Sequence, residues 1–326
     1  MYNTCPDKKA YTARIEALKR QNWTELTQAR NREGRRNILR LIRHGKFREA
    51  AGRCRRKLKD IAAAGPLRQA ALSLTDLRSV LRPADRKKTA GSPDYFSDAR
   101  IAVYTVILGG YDTVCEPRCA PDNCDFYLIS DTAAPAEGSV WKQMELPEAV
   151  RERIRDLSPA AANRFLKMLP HLLFPGYAWS VYLDGNLQLV TDPTEFINRM
   201  NPQGAMFHKH VSRDCVYEEA NAILVQKKAP EEAMAELTKF LRAEGMPEHY
   251  GLLECPVIVR RHHQPECLRL MEAWWEMFER FPYRDQMLLP YVLWKRGIST
   301  EELAGLGDNV RRCPSFHRYK HAWQEK

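Results

Sequence analysis

Trp179-Ser180-Val181-Tyr182-Leu183-Asp184-Gly185-Asn186 decides how the rest of the chain is read. Val181 and Leu183 are β-type apolar residues, and Trp179 and Tyr182 add aromatic bulk. The first five residues therefore predict a short buried strand. Asp184-Gly185-Asn186 ends it, with a glycine where a Cβ would resist a sharp turn. A carboxylate and an amide oxygen two residues apart at a strand end can point at one hard cation. Mg²⁺ and Mn²⁺ favour such oxygens and are commonly shared between them and a substrate phosphate. The same eight residues also make an ordinary Asp-Gly hairpin turn. Their surroundings distinguish the two.

Upstream, residues 101–108 form a continuous β-type run followed by Gly109-Gly110-Tyr111-Asp112. Residues 125–131 give a second strand, again ending in an acid, and residues 141–146 a third. Residues 160–174 carry Phe165, Leu166, Leu169 and Leu173 at helical spacing, with Pro170 interrupting and Pro175-Gly176 ending the helix. Strands alternating with helices predict an α/β domain with a largely parallel sheet. Ligands of such sheets bind beyond the carboxyl ends of the strands. Gly109-Gly110, Asp131 and Asp184 all fall at such ends, which favours the metal–nucleotide reading over the plain turn.

Downstream, residues 204–208 predict a strand, and Asp214 an N-cap for a helix over 215–227. Residues 230–244 and 265–280 predict helices around an apolar strand at 255–260. Arg284-Asp285-Gln286 opens a last helix, kinked at Pro290; its N-terminus could face a phosphate or sugar.

The first 98 residues differ in texture. The whole chain of 326 residues has a net charge of +10, yet residues 1–98 alone hold 24 Lys/Arg against 10 Asp/Glu. They are rich in Ala, Leu, Arg, Lys and Glu, and predict helices over 11–27, 33–63 and 67–81, with Gly45 and Gly65 as breaks and 85–98 as a linker. We divide the chain into a basic α-helical segment and linker, 1–98, and an α/β domain, 99–326. The basic face could meet an anionic membrane surface. Nucleic acid is a weaker expectation, because aromatic residues are not interleaved with the basic ones. Nine scattered cysteines without a Cys-x-x-Cys pair suggest reduced thiols. The N-terminus lacks an apolar core of signal-peptide type, and no run of about 18 apolar residues exists. The expectation is a cytoplasmic protein, peripheral on the inner face of the membrane.

Five ordered blocks carry a resemblance. They are residues 105–112, Thr-Val-Ile-Leu-Gly-Gly-Tyr-Asp; residues 163–171, Asn-Arg-Phe-Leu-Lys-x-x-Pro-His; residues 174–186, from Phe-Pro-x-Tyr through Tyr-Leu-Asp-Gly-Asn; residues 210–220, His-x-x-Arg-x-Cys-Val-Tyr-Glu-Glu-Ala; and Arg284-Asp285-Gln286. Over about residues 101–296 the chain resembles the TOD/MUCI-type glycosyltransferase-like family. The resemblance implies a GT-A-like, nucleotide-sugar-binding α/β fold and, typically, a divalent metal held by an Asp-x-Asp motif. Asn186 replaces the second Asp, keeping an oxygen ligand but removing a charge.

On this reading Asp184 and Asn186 hold Mn²⁺ or Mg²⁺. Arg164 and Lys167, three apart on one helix face, reach the phosphates. Gly109, Gly110 and Tyr111 shape the nucleotide pocket, Asp131 lies near the base or ribose, and Gln286 lines the donor. Asp285, Glu219 and Glu218 are the candidate catalytic carboxylates. His208, His210, His262 and His263 could be ligands, although isolated histidines are more often core or surface groups. His317 and Lys320 loosely resemble a C-terminal pair that some such enzymes fold over the diphosphate. The expected function is transfer of a sugar from a nucleotide-sugar donor to a surface-polysaccharide or glycolipid acceptor. The alternative, favoured by Asn186, is a non-catalytic nucleotide- or carbohydrate-binding module.

Overall fold

A computed structural model describes residues 7–62 and 94–321. It opens with α1 (Lys8–Arg43) and α2 (Phe47–Ala62). The α/β part follows: β1 (Ile101–Ile107), β2 (Cys124–Ser130), β3 (Trp141–Gln143), α3 (Glu148–Ile154), α4 (Pro159–Met168), β4 (Trp179–Leu183), β5 (Leu187–Leu189) and α5 (Thr194–Ile197). It continues with β6 (Ala205–Lys209), α6 (Val216–Val225), α7 (Glu231–Ala243), β7 (Leu253–Arg260), α8 (Pro265–Arg280), α9 (Asp285–Lys295), α10 (Thr300–Leu303) and β8 (Phe316–Arg318). The expected α/β class with a mainly parallel sheet is the class observed.

Among the described residues the main sheet has the order β3-β2-β1-β4-β7-β6. β3, β2, β1 and β4 run parallel, and β7 is antiparallel to both β4 and β6. Every residue of β1 is buried, as a central strand covered on both faces requires. Tyr104 and Tyr182 point to one face, against α4, α8 and α9. Val103, Val181 and Leu183 point to the other, where β5 and β8 pair as a small antiparallel ribbon. Arg260, fully buried, fastens the α4 end of the first layer: it donates to the Lys167 carbonyl at 2.6 Å and to the Tyr104 hydroxyl at 2.6 Å.

Several boundaries depart from expectation. One continuous α1 replaces a break between residues 27 and 33, whereas the break expected at Gly45 is where the chain turns, with φ at 69°. Asp214 does not cap α6: Cys215 occupies the cap, and the Asp214 carboxylate pairs with His249 at 2.7 Å. The last helix, α9, holds Pro290 inside it, as expected. The helix expected over 67–81 lies outside the described residues.

The basic helical segment is not separate from the domain. Ile15, Lys19, Asn22 and Leu26 are buried, a stripe at i, i+4, i+7 and i+11 of α1. Lys19 pairs with Glu195 at 3.1 Å, and Asn22 donates to the Pro314 and Phe316 carbonyls at 2.8 Å. Arg118 forks onto Glu25. The N-terminal half of α1 is therefore part of the fold, although the boundary at residue 98 separates two compositions.

Candidate functional site at the carboxyl ends of β1 and β4

The opening turn sits where the strand reading puts it. Asp184 follows β4, and its backbone N–H donates to the Pro256 carbonyl of β7 at 2.8 Å. The Tyr182 hydroxyl donates to Asp184 Oδ1 at 2.9 Å and so fixes the carboxylate's orientation. Gly185 is required for a reason different from the expected one. Its φ is not among the positive ones; instead, a Cβ there would sit 2.9 Å from Asp112 Cβ and 2.9 Å from Ile107 Cγ1. The loop after β1 thus presses directly on the turn after β4. Asn186 is buried, and its side-chain amide donates to the Tyr319 carbonyl at 2.9 Å while the Tyr319 N–H returns a bond to the Asn186 carbonyl at 2.9 Å. The amide fastens the segment after β8 to the turn, leaving its own oxygen as the atom able to meet a cation.

That segment brings in two groups the sequence reading did not single out. Asp112, buried, meets His321 Nδ1 at 2.8 Å, and the His321 ring packs edge-on against Tyr111 at 5.0 Å. A histidine held by a carboxylate at one nitrogen presents the other in a fixed direction. Asp112 stands in the quoted Gly109-Gly110-Tyr111-Asp112 run, so position after a strand was its signal. His321 had none, being 209 residues away. The expected partner, His317, faces elsewhere: its Nδ1 meets Asn22 Oδ1 of α1 at 2.6 Å. Lys320 is exposed.

The glycine loop has its own brace. Gly109 and Gly110 take φ of 67° and 64°, the left-handed region glycine adopts without strain. Both Asp131 carboxylate oxygens accept the Gly109 N–H, at 2.9 and 3.0 Å. Asp131 therefore shapes the loop beside the pocket, a role distinct from the expected contact with base or ribose. Tyr111 is half exposed, at 51 %, as a ring available to stack would be.

Arg164 and Lys167 do share one face of α4, but their placement separates their roles. Lys167 is buried, 2.7 Å from Asp285 Oδ2 and over the Tyr182 ring. It is the counter-charge of Asp285, and this replaces the expectation that it reaches phosphates. Arg164 lies 3.6 Å from the same oxygen, but its side chain is 30 % exposed and it feels Asp184, Tyr182 and Tyr111 as well. It is the cation of the pair that can meet a ligand.

Asp285, the first residue of α9, is 5 % exposed. Burial pushes its pKa up, but Lys167 and Arg164 outweigh burial and hold it well below the usual carboxylate range. A carboxylate that reluctant to take a proton is a poor general base near neutrality, which disfavours the base role among the catalytic roles expected for it. It orients Arg164 instead. Gln286, next along α9, is half-buried at the same helix start.

Glu219 is buried between Arg213, which donates to it through Nε, and His210 Nε2 at 3.7 Å. Burial lowers the His210 pKa, with Glu219 opposing. Glu218 is exposed on the far side of the helix, near His249, away from this group. The structure does not bring Glu218 to the site. The remaining histidines are also elsewhere: His262 and His263 both meet the Phe174 carbonyl, before β4, and His208 is in the core.

Further cations lie near these groups. Lys228 feels Arg284, Arg318 and Arg311; burial and these neighbours lower its pKa. Arg318, on β8, feels Arg311, Asp184, Glu254 and Asp112. Arg284 Nε is buried without a hydrogen-bond partner among the described residues. For a metal, Asp184 and Asn186 offer a carboxylate and an amide oxygen two residues apart on the one turn. Among the described residues, no three His, Cys, Asp or Glu side chains are grouped closely enough to hold one alone. The donor set fits a hard ion completed by ligand oxygens, not a closed protein cage.

A family model for the TOD1/MUCI70 glycosyltransferase-like domain matches residues 89–306. The probable hexosyltransferase MUCI70 of Arabidopsis thaliana is 28 % identical over 172 residues, which make up 49 % of this chain and 29 % of that protein. The chain thus matches less than a third of that relative's length. Among solved structures, the bifunctional glycosyltransferase WbbM in its apo form gives a TM-score of 0.41 at 11 % identity, covering 66 % of this chain and 39 % of that one. Mouse xyloside xylosyltransferase 1, also apo, gives 0.39 at 11 % identity, covering 65 % and 85 %. The galactosyltransferase LgtC with donor and acceptor sugar analogs gives 0.34 at 11 % identity, covering 61 % and 72 %.

Proposed function

We propose, for a chain that belongs to the TOD1/MUCI70 glycosyltransferase-like domain family, that it transfers a sugar from a nucleoside-diphosphate donor to a glycan acceptor. One observation carries the reading. The Asp184-Gly185-Asn186 turn, the Asp112–His321 pair and the Arg164 guanidinium are gathered at the carboxyl ends of β1 and β4. Glycosyl transfer separates a diphosphate whose negative charge grows as the bond to the sugar breaks. Arg164, steered by Asp285, and Arg318 supply fixed positive charge against it. A Mn²⁺ or Mg²⁺ ion, when bound, would be held by Asp184 and the Asn186 oxygen and would add charge stabilisation at the diphosphate. Tyr111 and the braced Gly109-Gly110 loop shape the nucleotide side. Glu219, in its Arg213–His210 setting, is the carboxylate of the cleft left for the acceptor side. The acceptor class we favour is a surface polysaccharide or glycolipid, met on the cytoplasmic side of the membrane.

Thermal shift and calorimetry with UDP, GDP, CDP and dTDP, with and without Mn²⁺, test the donor. Slow release of nucleotide from the matching nucleotide sugar tests catalysis. Binding of at least one diphosphate and turnover of its sugar are expected. Failure of the whole panel to bind would overturn the proposal. Asn186 favours a second reading, a nucleotide- or glycan-binding module without turnover; diphosphate binding that is indifferent to metal and yields no hydrolysis would select it.

A further inference from the structure

The two halves of α1 are built differently. Up to Leu26 a buried stripe fastens the helix to the domain. Beyond Arg30 no described side chain of α1 is buried. The helix nevertheless continues to Arg43 and turns through His44-Gly45-Lys46 into α2, whose Ala50 is buried. At 1.5 Å per residue the 13 steps from Arg30 to Arg43 carry the turn about 20 Å along the axis.

The tip of this hairpin has an unusual surface. Leu39 is 56 % exposed, Ile42 41 % and Phe47 65 %. Leu39 and Ile42 lie at i and i+3 on one face, and Phe47 begins α2 just across the turn. Around them Arg36, Arg40, Arg43, Lys46 and Arg48 are exposed, and the acidic Glu49 is paired to Lys46 at 3.5 Å. Residues 30–53 contain nine Lys/Arg and two Glu. Isolated exposed apolar residues are ordinary; three large ones at one tip inside a basic collar are not. A polyanion of nucleic-acid type would use the collar but leave the leucine, isoleucine and phenylalanine in water. An anionic bilayer takes both, since acyl chains receive the apolar groups and headgroup charge attracts the collar.

We propose that the α1–α2 hairpin tip is a membrane foot that seats this protein on anionic lipid through Leu39, Ile42 and Phe47 and their arginine collar. The foot is continuous with the half of α1 that bonds to Phe316 and His317 of β8. The domain therefore follows the foot as one piece.

The test uses the full chain and two sets of vesicles, phosphatidylcholine alone and phosphatidylcholine with phosphatidylglycerol, in a flotation assay. Binding to the anionic vesicles is expected, weakening at least tenfold between 0.1 and 0.5 M salt as screening shortens. Leu39→Ser with Phe47→Ser should reduce it at least tenfold, and Arg40→Gln with Arg43→Gln by a similar factor. Both double variants change exposed groups, so their melting temperature and nucleotide binding should match the parent. Equal binding to both vesicle types, or retention of full binding by the serine variant, would overturn the proposal. So would a short duplex RNA or DNA that competes the protein off the vesicles with an affinity indifferent to the serine changes; that result would assign the collar to nucleic acid.

Discussion

Two buried charge clusters flank the sheet, and they are finished to different degrees. Under α1, Glu195 takes Lys19 on both oxygens at 3.2 and 3.1 Å, Thr191 at 2.7 Å and Ser315 at 3.1 Å. Lys19 in turn meets Glu16 at 3.3 Å and the Tyr95 hydroxyl at 3.2 Å. One cation faces two carboxylates, and polar atoms on every side are used. At the cleft, Asp285 faces two cations, and the second, Arg164, is partly open to solvent near Asp184. A buried ion pair contributes little net stability unless its desolvation is fully offset. The closed cluster has that compensation and can act as a staple. The open one keeps spare positive charge where an anionic ligand would complete it.

The comparison fails or holds first on paired substitutions. Lys19→Met leaves Glu195 buried without its counter-ion and should destabilise the fold by about 3 kcal/mol or more. Nucleoside-diphosphate affinity of the folded molecules should stay unchanged. Arg164→Met leaves Asp285 still paired with Lys167 and should cost less than about 1 kcal/mol. It should instead weaken diphosphate binding by about 1.5–3 kcal/mol, the range for a hydrogen bond to a charged group. Denaturant titration and calorimetry on both variants give the four numbers. If Arg164→Met unfolds the protein as readily as Lys19→Met and spares binding, the two clusters are the same kind of object.

Asp184→Asn tests the anionic side of the cleft. Tyr182 can donate to an amide oxygen as to a carboxylate, so the turn should survive, with the melting temperature close to the parent's. Loss of a group that helps stabilise developing charge typically lowers the rate by about 10²–10³. Metal dependence of nucleotide binding should fall with it. A variant with normal metal-dependent binding and turnover would return Asp184 to the plain hairpin turn.

What the sequence made legible follows from distance along the chain. The β4 turn, the Gly109-Gly110 loop and the i, i+3 pair Arg164–Lys167 are local patterns, and each falls at the predicted strand end or helix face. Which member of the pair is buried was not legible, because that depends on Asp285, 118 residues from Lys167. Asp112–His321 and Lys19–Glu195 span 209 and 176 residues and leave no local trace. The docking stripe of α1 was not legible, because two of its four residues are Lys19 and Asn22 and nothing local said that β8 would cover them. The part of Asn186 is the plainest case. Read locally it is a substituted acid; in the fold it is a donor that holds Tyr319.

That role makes Asn186→Asp a smaller, two-sided test. The extra charge should strengthen attraction for a hard cation. The lost donor, however, leaves the Tyr319 carbonyl facing a carboxylate in a buried setting, at about 1–3 kcal/mol. A lower melting temperature without metal, partly restored by Mn²⁺, is expected. A variant as stable as the parent without metal would mean the Asn186–Tyr319 bond does not hold the terminal segment, and with it His321, at the site.

The smallest effect concerns a third kind of buried ionisable group, one with neither a closed nor an open network. His208 is fully buried, both ring nitrogens lack hydrogen-bond partners among the described residues, and its ring packs 5.6 Å from Phe316. Burial alone pushes its pKa down to about 3. His262 is lowered to about 3 and His171 to about 4, burial being the main cause in each. An unfolded histidine takes up its proton near 6.5. The stability these rings contribute is thus fully present above pH 6.5 and is lost as pH falls from there toward 4 or 3. Each group lowers stability by up to about 1.4 kcal/mol per pH unit in that window. Asp285 behaves on a different scale: its folded pKa is lowered from that of an ordinary aspartate, so its contribution begins to fade only below about pH 4. Between pH 6.5 and 4.5 these histidines therefore contribute to the slope of stability against pH, and Asp285 does not. His208→Phe should make that slope shallower by up to about 1.4 kcal/mol per unit while leaving the acid limb below pH 4 in place. Denaturant titrations at pH 7, 6, 5 and 4.5 measure it. An unchanged slope would mean that His208 is protonated in the fold, and that a counter-charge reaches the core beside Phe316.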